Sequence, residues 1–375
     1  MTFRVNFRFS CRAFCRALPV LAVAWTLSLP AAPVHAQPAR APAAAGAAAS
    51  TGEPGGPARL QPRIRVVASF TLLADLVRRV GVDRVVVQSL VPYDADVHVF
   101  SPGPGAVRTL AEAQLFVVNG LGYEGWMTRL VRSSRYRGPV LVASEGIEPL
   151  MVDARAHDHD HDHGHGKKDA SRAVRKIGSA SQLPDPHAWQ SITNVRRYIA
   201  NITEGLCALE PASCNAFREN ARLYGLRLDQ VDQEIRRWID PIPREQRRVL
   251  TSHAAFAYFG REYGITFVSP IGISTEAEPS AGTIARLIRE IREHDIKAFF
   301  VENIRDGRLV DRISAETGGA RSGRLYSDSL TESGGAAVDY TSLMQTNARA
   351  IARALAPERG PVTITPPAAR PVETR

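Results

Sequence analysis

The stretch PASCNAFRENARLYGLRLDQVDQEIRRWI, residues 211–239, carries the longest run of helical periodicity in the sequence. Its apolar side chains recur at alternating spacings of four and three residues, which places them on one face of a single helix. These residues are Phe217, Ala221, Tyr224, Leu228, Val231, Ile235 and Trp238. The following Asp240-Pro241-Ile242-Pro243 ends the helix. At 1.5 Å per residue it would be roughly 40 Å long, enough to join two lobes of one molecule.

Strand-like and helical segments alternate on both sides of this helix. Short apolar runs typical of buried strands are each followed by a segment with helical spacing. Such alternation is typical of parallel sheets with helical crossovers. The predicted strands are Ile64–Ala68, Val85–Leu90, Leu115–Asn119, Val140–Ala143, Val249–Ser252, Thr266–Ser269, Ala298–Val301 and Leu325–Tyr326. We therefore predict an α/β fold of two lobes, each a parallel sheet flanked by helices, joined by one long rigid helix with a cleft between the lobes.

The first 36 residues have the pattern of an export signal. Four arginines precede the apolar stretch Ala17–Leu29, and Val34-His35-Ala36 is a small-residue cleavage site. A single membrane anchor is the alternative, but the apolar stretch is short and is interrupted by Pro19 and flanked by Pro30. We therefore predict a signal peptide at 1–36 and an exported protein that does not span the membrane.

Composition divides the remainder of the chain. Residues 37–62 are rich in Ala, Pro and Gly and predict a disordered linker. We place an N-terminal α/β lobe at 63–210, with a His/Asp-rich polar loop at 156–182. The linking helix follows at 211–240 and a C-terminal α/β lobe at 241–358. A disordered tail is predicted at 359–375.

The formal net charge of +9 does not indicate a nucleic-acid partner. Four of the positive charges lie in the predicted signal peptide, and the remaining arginines are scattered through the chain instead of forming a basic stripe. At 375 residues and 44% hydrophobic content, the chain is long enough for two lobes with a sizeable core. Its composition is that of an ordinary, modestly basic globular protein.

Two of the four cysteines remain after the predicted signal peptide. Cys207 ends one helical stretch and Cys214 opens the next. In an oxidising compartment the pair would form a disulfide that closes a short loop. The alternative is that the two thiolates bind a metal, but a cysteine pair without a second pair is weak evidence for such a site. Cys11 and Cys15 precede the apolar run, so they predict no lipid anchor.

Three histidines and one aspartate each follow a predicted strand. His98 comes in the loop after Val85–Leu90, His187 lies beyond the fourth strand, and His253 directly follows Val249–Ser252. Asp328 follows the last short strand. In open parallel sheets, ligands bind outside the carboxyl ends of the strands. Two lobes that face each other would therefore bring these four side chains together in the cleft.

Three imidazoles and a carboxylate form a ligand set that suits Zn²⁺. Mn²⁺ or ferrous iron are alternatives, although sites for Mn²⁺ are usually richer in carboxylates. A zinc-dependent hydrolase is a second alternative, with Glu302 or Glu276 as the general base. The sequence contains no His-Glu-x-x-His run and no nucleophile elbow, and four protein ligands would leave little room for a reacting water. A surface adhesin on the same scaffold is a third class that no sequence feature supports.

The run HDHDHDHGH, residues 157–165, forms a second group of possible metal ligands. It contains His157, His159, His161, His163 and His165. Such a run cannot bury a core, but it can bind divalent metal ions. It either gathers zinc for the cleft or is a solvated loop with weak metal affinity and no defined role.

The sequence resembles the solute-binding proteins of metal-specific ABC importers, the family of periplasmic zinc and manganese receptors. The resemblance covers roughly 63–356, and its most specific segments are Asp94–Pro102, Asn119–Trp126, Asp185–Trp189, Ser252–Phe259, Glu278–Ser280 and Tyr326–Leu330. It implies the same four metal ligands, a periplasmic location, an ABC importer permease as partner and a monomeric protein that is not an enzyme. The His/Asp-rich loop and a histidine at position 253 are similar to those of the zinc-specific members.

Overall fold

The computed structural model describes residues 63–153 and 182–356. The predicted signal peptide, linker, His/Asp-rich tract and tail lie outside these residues. Within the described ranges, no helix combines the length and apolar character needed to cross a membrane.

The first lobe is built on a four-stranded parallel sheet. Its strands are β1 (Ile64–Ala68), β2 (Val85–Ser89), β3 (Leu115–Val118) and β4 (Val140–Val142), in the order β2-β1-β3-β4. Strand β3 is buried at every residue, as expected for a central strand covered on both faces. The helices of this half of the chain are α1 (Thr71–Gly81), α2 (Pro104–Ala111), α3 (Met127–Ser134) and α4 (Ile192–Leu209).

The second lobe repeats this plan. Its strands are β7 (Arg248–Leu250), β8 (Thr266–Val268), β9 (Ala298–Glu302) and β10 (Arg321–Leu325), in the order β10-β9-β7-β8, and all its pairs are parallel. Its helices are α6 (Ala257–Tyr263), α7 (Ala281–Glu293), α8 (Arg308–Glu316) and α9 (Tyr340–Leu355). The predicted α/β fold of two parallel-sheet lobes is confirmed.

Two predicted segments differ from the structure. The last strand begins at Arg321, because its exposed, polar residues carry no apolar run that would reveal it in the sequence. A two-stranded antiparallel sheet also joins β5 (Met151–Asp153) to β6 (Gln182–Pro184). These strands flank the polar loop predicted at 156–182, and β6 begins at Gln182, the last residue of that predicted loop.

The long helix α5 spans Cys214–Ile239, and a short 3-10 helix at Pro211–Ser213 precedes it. Five residues of the predicted face are buried, and Ala221 and Trp238 pack against the core with partial exposure. The helix lies against α4 and α9 and also contacts α1 and α6, so it joins elements from both halves of the chain. The domain boundaries that we placed around it remain a prediction.

Removing the central leucine of this helix should destabilise the whole molecule. Leu228 is fully buried, so Leu228→Ala leaves a cavity, and we expect it to lower the free energy of unfolding of the metal-free protein by about 2–5 kcal/mol. Leu226→Ala is the matched control, because Leu226 is half-exposed on the same helix and its loss should cost no more than about 0.5 kcal/mol. Denaturant titration measures both values, and equal effects for the two variants would contradict the role of α5.

Cys207 and Cys214 form the predicted disulfide. Their Cα atoms are 4.6 Å apart, and the bond joins the last turn of α4 to the first residue of α5. The two sulfurs are therefore unavailable to a metal, which removes the alternative of a cysteine site. The disulfide fixes the corner between two helices that pack along each other.

Candidate metal centre

The four predicted ligands lie together where the loops of both lobes meet. His98 lies in the loop after β2, and His187 lies in the turn after β6. His253 and Asp328 follow β7 and β10 of the second sheet. One nitrogen from each imidazole and one carboxylate oxygen all lie within 4.8 Å of one another. The structure therefore brings these four residues to one place, and their role as metal ligands stays a prediction.

The shortest distances within this cluster, which reach both oxygens of Asp328, are near the edge length of a small tetrahedron. The Nε2 atoms of His187 and His253 are 3.3 Å apart, and His253 Nε2 lies 3.2 Å from an oxygen of Asp328. His187 Nε2 and His98 Nε2 lie 3.7 and 3.8 Å from Asp328 oxygens. Four ligands at Zn²⁺ bond lengths of ~2.0–2.1 Å stand about 3.4 Å from one another in a tetrahedron. The cluster is thus close to the size that a bound ion of this kind requires.

The cluster is removed from solvent. His187, His253 and Asp328 are fully buried, and the side chain of His98 is 6% exposed. Neither oxygen of Asp328, nor Nε2 of His98, has a well-aligned hydrogen-bond partner among the described residues. Buried polar atoms without partners are costly unless a ligand satisfies them. Their convergence on one point indicates a cation-binding site.

Asp185 fixes the orientation of the His187 ring. Its Oδ1 accepts hydrogen bonds from the backbone N–H of His187 at 3.0 Å and from Nδ1 at 2.7 Å. A proton held on Nδ1 leaves the lone pair of Nε2 free to face the cluster. Asp185 is itself buried and lies between two prolines, which restrict its backbone.

The carboxylate of Glu302 contacts both the backbone and the ring of His253. It is the last residue of β9, and its Oε1 accepts the backbone N–H of His253 at 2.9 Å. Its Oε2 lies 2.6 Å from His253 Nδ1. Both carboxylate oxygens therefore lie against His253, with Oε1 hydrogen-bonded and Oε2 at ion-pair distance without hydrogen-bond alignment. Glu276, the other base considered for a hydrolase, is exposed at the surface.

His98 is held differently. Its backbone N–H donates to Asp96 Oδ1 at 2.9 Å, but among the described residues no carboxylate pairs with its ring Nδ1. The ring instead meets Tyr123 edge-on, with centroids 4.9 Å apart. Tyr123 precedes the buried Glu124, whose carboxylate accepts the backbone N–H groups of Asn119 and Gly120 and orders the loop after β3. His98 is thus the least anchored of the three imidazoles.

Burial and the neighbouring charges shift the pKa values of the cluster in opposite directions. Burial lowers the pKa of His98 to about 3. Burial also disfavours the charged form of His253, but the carboxylates of Glu302 and Asp328 outweigh it and hold the pKa of His253 well above its ordinary value. Burial would raise the pKa of Asp328, yet the neighbouring His253 and His187 lower it to about 2. Asp328 is therefore an anion throughout the physiological range.

The loop that carries Asp328 is tied to the segment that carries His187. The carbonyl oxygen of Ser327 accepts hydrogen bonds from Trp189 Nε1 at 2.9 Å and Gln190 Nε2 at 2.8 Å. Tyr340 at the start of α9 donates to the Trp189 carbonyl at 2.8 Å. All four of these residues are fully buried, so the two halves of the cluster are held in register.

Solved structures with the same fold bind metals. The periplasmic zinc-binding protein TroA from Treponema pallidum superposes with a TM-score of 0.66 at 25% identity, covering 78% of this chain and 99% of that one. A manganese-bound point mutant of a periplasmic metal-binding protein from Candidatus Liberibacter asiaticus gives a TM-score of 0.66 at 25% identity, covering 78% of this chain and 100% of that one.

The curated relatives are also metal-binding proteins, but their names give different metals. The iron-binding protein YfeA of Yersinia pestis is 29% identical over 291 residues, which are 78% of this chain and 86% of the relative. The manganese ABC transporter substrate-binding lipoprotein PsaA of Streptococcus anginosus is 27% identical over 299 residues, 78% of this chain and 89% of the relative.

Fold, site and relatives together define a periplasmic metal-binding protein that serves an ABC importer. Residues 66–354 match the ZnuA family, described as the periplasmic component A of the zinc-uptake complex. This match spans most of the chain, and the protein belongs to that family. Members of the family are solute-binding proteins and not enzymes.

Sequence reasoning did not assign the two carboxylates that orient the histidines. Asp185 appeared only at the start of a segment that carries the family resemblance, and Glu302 only as a possible general base. The position of Glu302 as the last residue of β9 was an available signal, since the other site residues also follow strands. The five histidines of the tract lie outside the described residues, and their role stays a prediction.

Proposed function

We propose that this protein captures Zn²⁺ with His98, His187, His253 and Asp328 and delivers it to the permease of an ABC importer. The observation that carries the proposal is the convergence of three imidazole nitrogens and one carboxylate oxygen within 4.8 Å at a buried point. Four protein ligands complete a tetrahedral shell, which is the arrangement of closed zinc sites. The cargo would be held reversibly, because its ligands come from loops of two lobes and not from one rigid element.

Ligand chemistry favours zinc over the metals named for the relatives. Three of the four candidate ligands are neutral imidazoles when metal is bound, and imidazole suits Zn²⁺ better than it suits Mn²⁺. One oxygen of Asp185 and one of Glu302 lie close to histidine Nδ1 atoms, at 2.7 and 2.6 Å. They are therefore poorly placed to add the oxygen ligands that a manganese site would use.

A manganese or iron receptor is the second candidate, because relatives carry those metals in their names. Competition titration of the metal-free full chain distinguishes the two. We expect Zn²⁺ to bind this site at least about tenfold more tightly than Mn²⁺, as the ligand set and the general order of divalent affinities predict.

The His253→Ala variant serves as the reference in that titration. Metal bound by the wild type but not by the variant belongs to the cleft, so any contribution of the tract is subtracted. Preferential binding of Mn²⁺ or Fe²⁺ in this difference would overturn the zinc assignment and retain the receptor. We further propose that the tract at 157–165 gathers zinc near the cleft, and that the lobes have the boundaries given above.

A further inference from the structure

Two of the candidate ligands, His98 and His187, lie in separate segments with the same local hydrogen bond. Only in one of them does the aspartate also contact the histidine ring. In both Asp185-Pro186-His187 and Asp96-Val97-His98, the first residue's Oδ1 accepts the backbone N–H of the histidine, at 3.0 and 2.9 Å. In the first turn the same oxygen also holds the imidazole Nδ1. In the second, the carboxylate uses its other oxygen elsewhere.

Asp96 Oδ2 accepts a hydrogen bond from the hydroxyl of Thr275 at 2.5 Å. Thr275 lies between β8 and α7 of the second lobe, 179 residues away in the chain, and is buried. Its own carbonyl accepts Arg305 Nη1 at 2.8 Å, and Arg305 also pairs with Glu278 at 2.8 Å. The loop that carries the Thr275 hydroxyl is therefore held in place by Arg305.

A cavity of about 720 Å³ lies beside the Asp96–Thr275 hydrogen bond. Its lining includes Asp96, Thr275 and Ser252, whereas none of the four candidate ligands is among its described lining residues. The cavity thus reaches the immediate neighbours of His98 and His253 but stops short of the ligands. Both residues of this hydrogen bond, Asp96 and Thr275, therefore line the cavity.

We propose that the Asp96–Thr275 hydrogen bond is a latch that positions His98 and controls release of the bound metal. This inference rests on the proposed metal site and adds a residue outside it. Because no carboxylate in the described part of the chain pairs with Nδ1 of His98, the position of this ring depends on the backbone hydrogen bond to Asp96. Asp96 is in turn fixed by the opposite lobe. When the Asp96–Thr275 hydrogen bond breaks, the loop that carries His98 can move and the metal site opens toward the cavity.

Thr275→Val tests the latch, since it removes the hydroxyl and keeps the shape of the side chain. We expect zinc to leave the variant about 10-fold faster when the loaded full chain is mixed with excess chelator. That factor corresponds to about 1.4 kcal/mol, close to the lower end of what a hydrogen bond to a charged group contributes. The relevant release phase is the one that His253→Ala lacks.

Two further variants separate positioning from general loosening. Thr275→Ser restores a hydroxyl and should return the release rate to within about twofold of the wild type. Thr317→Val removes a hydroxyl that donates to the Ile313 carbonyl at the end of α8, away from the cluster, and should not change the rate. The visible spectrum of the Co²⁺-loaded Thr275→Val protein should remain tetrahedral, because no ligand is removed.

The outcomes distinguish the latch from the site. If the wild type shows no zinc-release phase that His253→Ala lacks, the proposed function fails and the latch fails with it. If that phase exists but is equally fast in the wild type and Thr275→Val, only the latch is overturned. Failure of Thr275→Ser to slow release, or equal acceleration by Thr317→Val, also overturns it.

Discussion

His253→Asn should weaken zinc binding by more than about 100-fold, because it removes one of the four atoms that face the ion. Loss of residues that merely orient a ligand costs about 10–100-fold in metal affinity, so loss of the ligand itself should exceed that range. Asparagine is a sharper choice than alanine here. Its amide nitrogen stands near the place of the imidazole Nδ1 and can still donate to Glu302, which lies 2.6 Å from that atom.

The affinity of the His253→Asn protein is measured by competition with a chromogenic chelator. His294→Asn is the matched control, since His294 is exposed at the end of α7 and should bind zinc as the wild type does. Thermal unfolding of the metal-free proteins shows whether the fold is retained. Unchanged zinc affinity in a folded His253→Asn protein would remove the imidazole from the site.

Zinc affinity should fall about 100-fold between pH 7.5 and 5.5, because the metal displaces a proton. Burial opposes the charge on His253, but Glu302 and Asp328 outweigh it and raise the pKa of this ring well above its ordinary value. The raised pKa therefore favours the protonated form of His253 in the metal-free protein. Each unit of acidification then favours the protonated form tenfold. His98, whose pKa burial lowers to about 3, stays neutral and adds nothing to the slope.

Calorimetric titration in buffers of different ionisation enthalpy measures the displaced proton directly. We expect about one proton released per zinc at neutral pH, taken as the difference between the wild type and His253→Asn. Glu302→Gln removes one of the two carboxylates that raise the pKa of His253, so proton release should decrease. Equal affinity at pH 7.5 and 5.5, with no proton released, would contradict a site built from imidazoles.

Helices and strands could be predicted from the sequence where burial requires a regular spacing of apolar residues. The face of α5 from Phe217 to Ile235 and the apolar runs of β3 and β9 are patterns that core packing requires. Strand β10 at Arg321–Leu325 was not predicted over its full length, because most of its side chains are exposed and it is held by backbone pairing to β9. The antiparallel pair of β5 and β6 was not predicted, because its three-residue strands are too short to show an alternation of apolar and polar residues.

The candidate site was predictable in position but not in detail. His98, His253 and Asp328 were found because each follows a strand of a parallel sheet, and the ends of such strands face the cleft. Which histidines receive a carboxylate on Nδ1 depends on contacts across 49 residues for His253 and Glu302, and no local pattern encodes them. The Asp96–Thr275 bridge crosses 179 residues and was equally invisible.

The most direct test of this account is a crystal structure of the zinc-loaded protein with anomalous data at the zinc edge. We predict one strong peak in the cleft, at ~2.0–2.2 Å from Nε2 of His98, His187 and His253 and from an oxygen of Asp328. A peak elsewhere, or one bound by two or fewer of these four residues with waters completing the shell, would contradict the central claim.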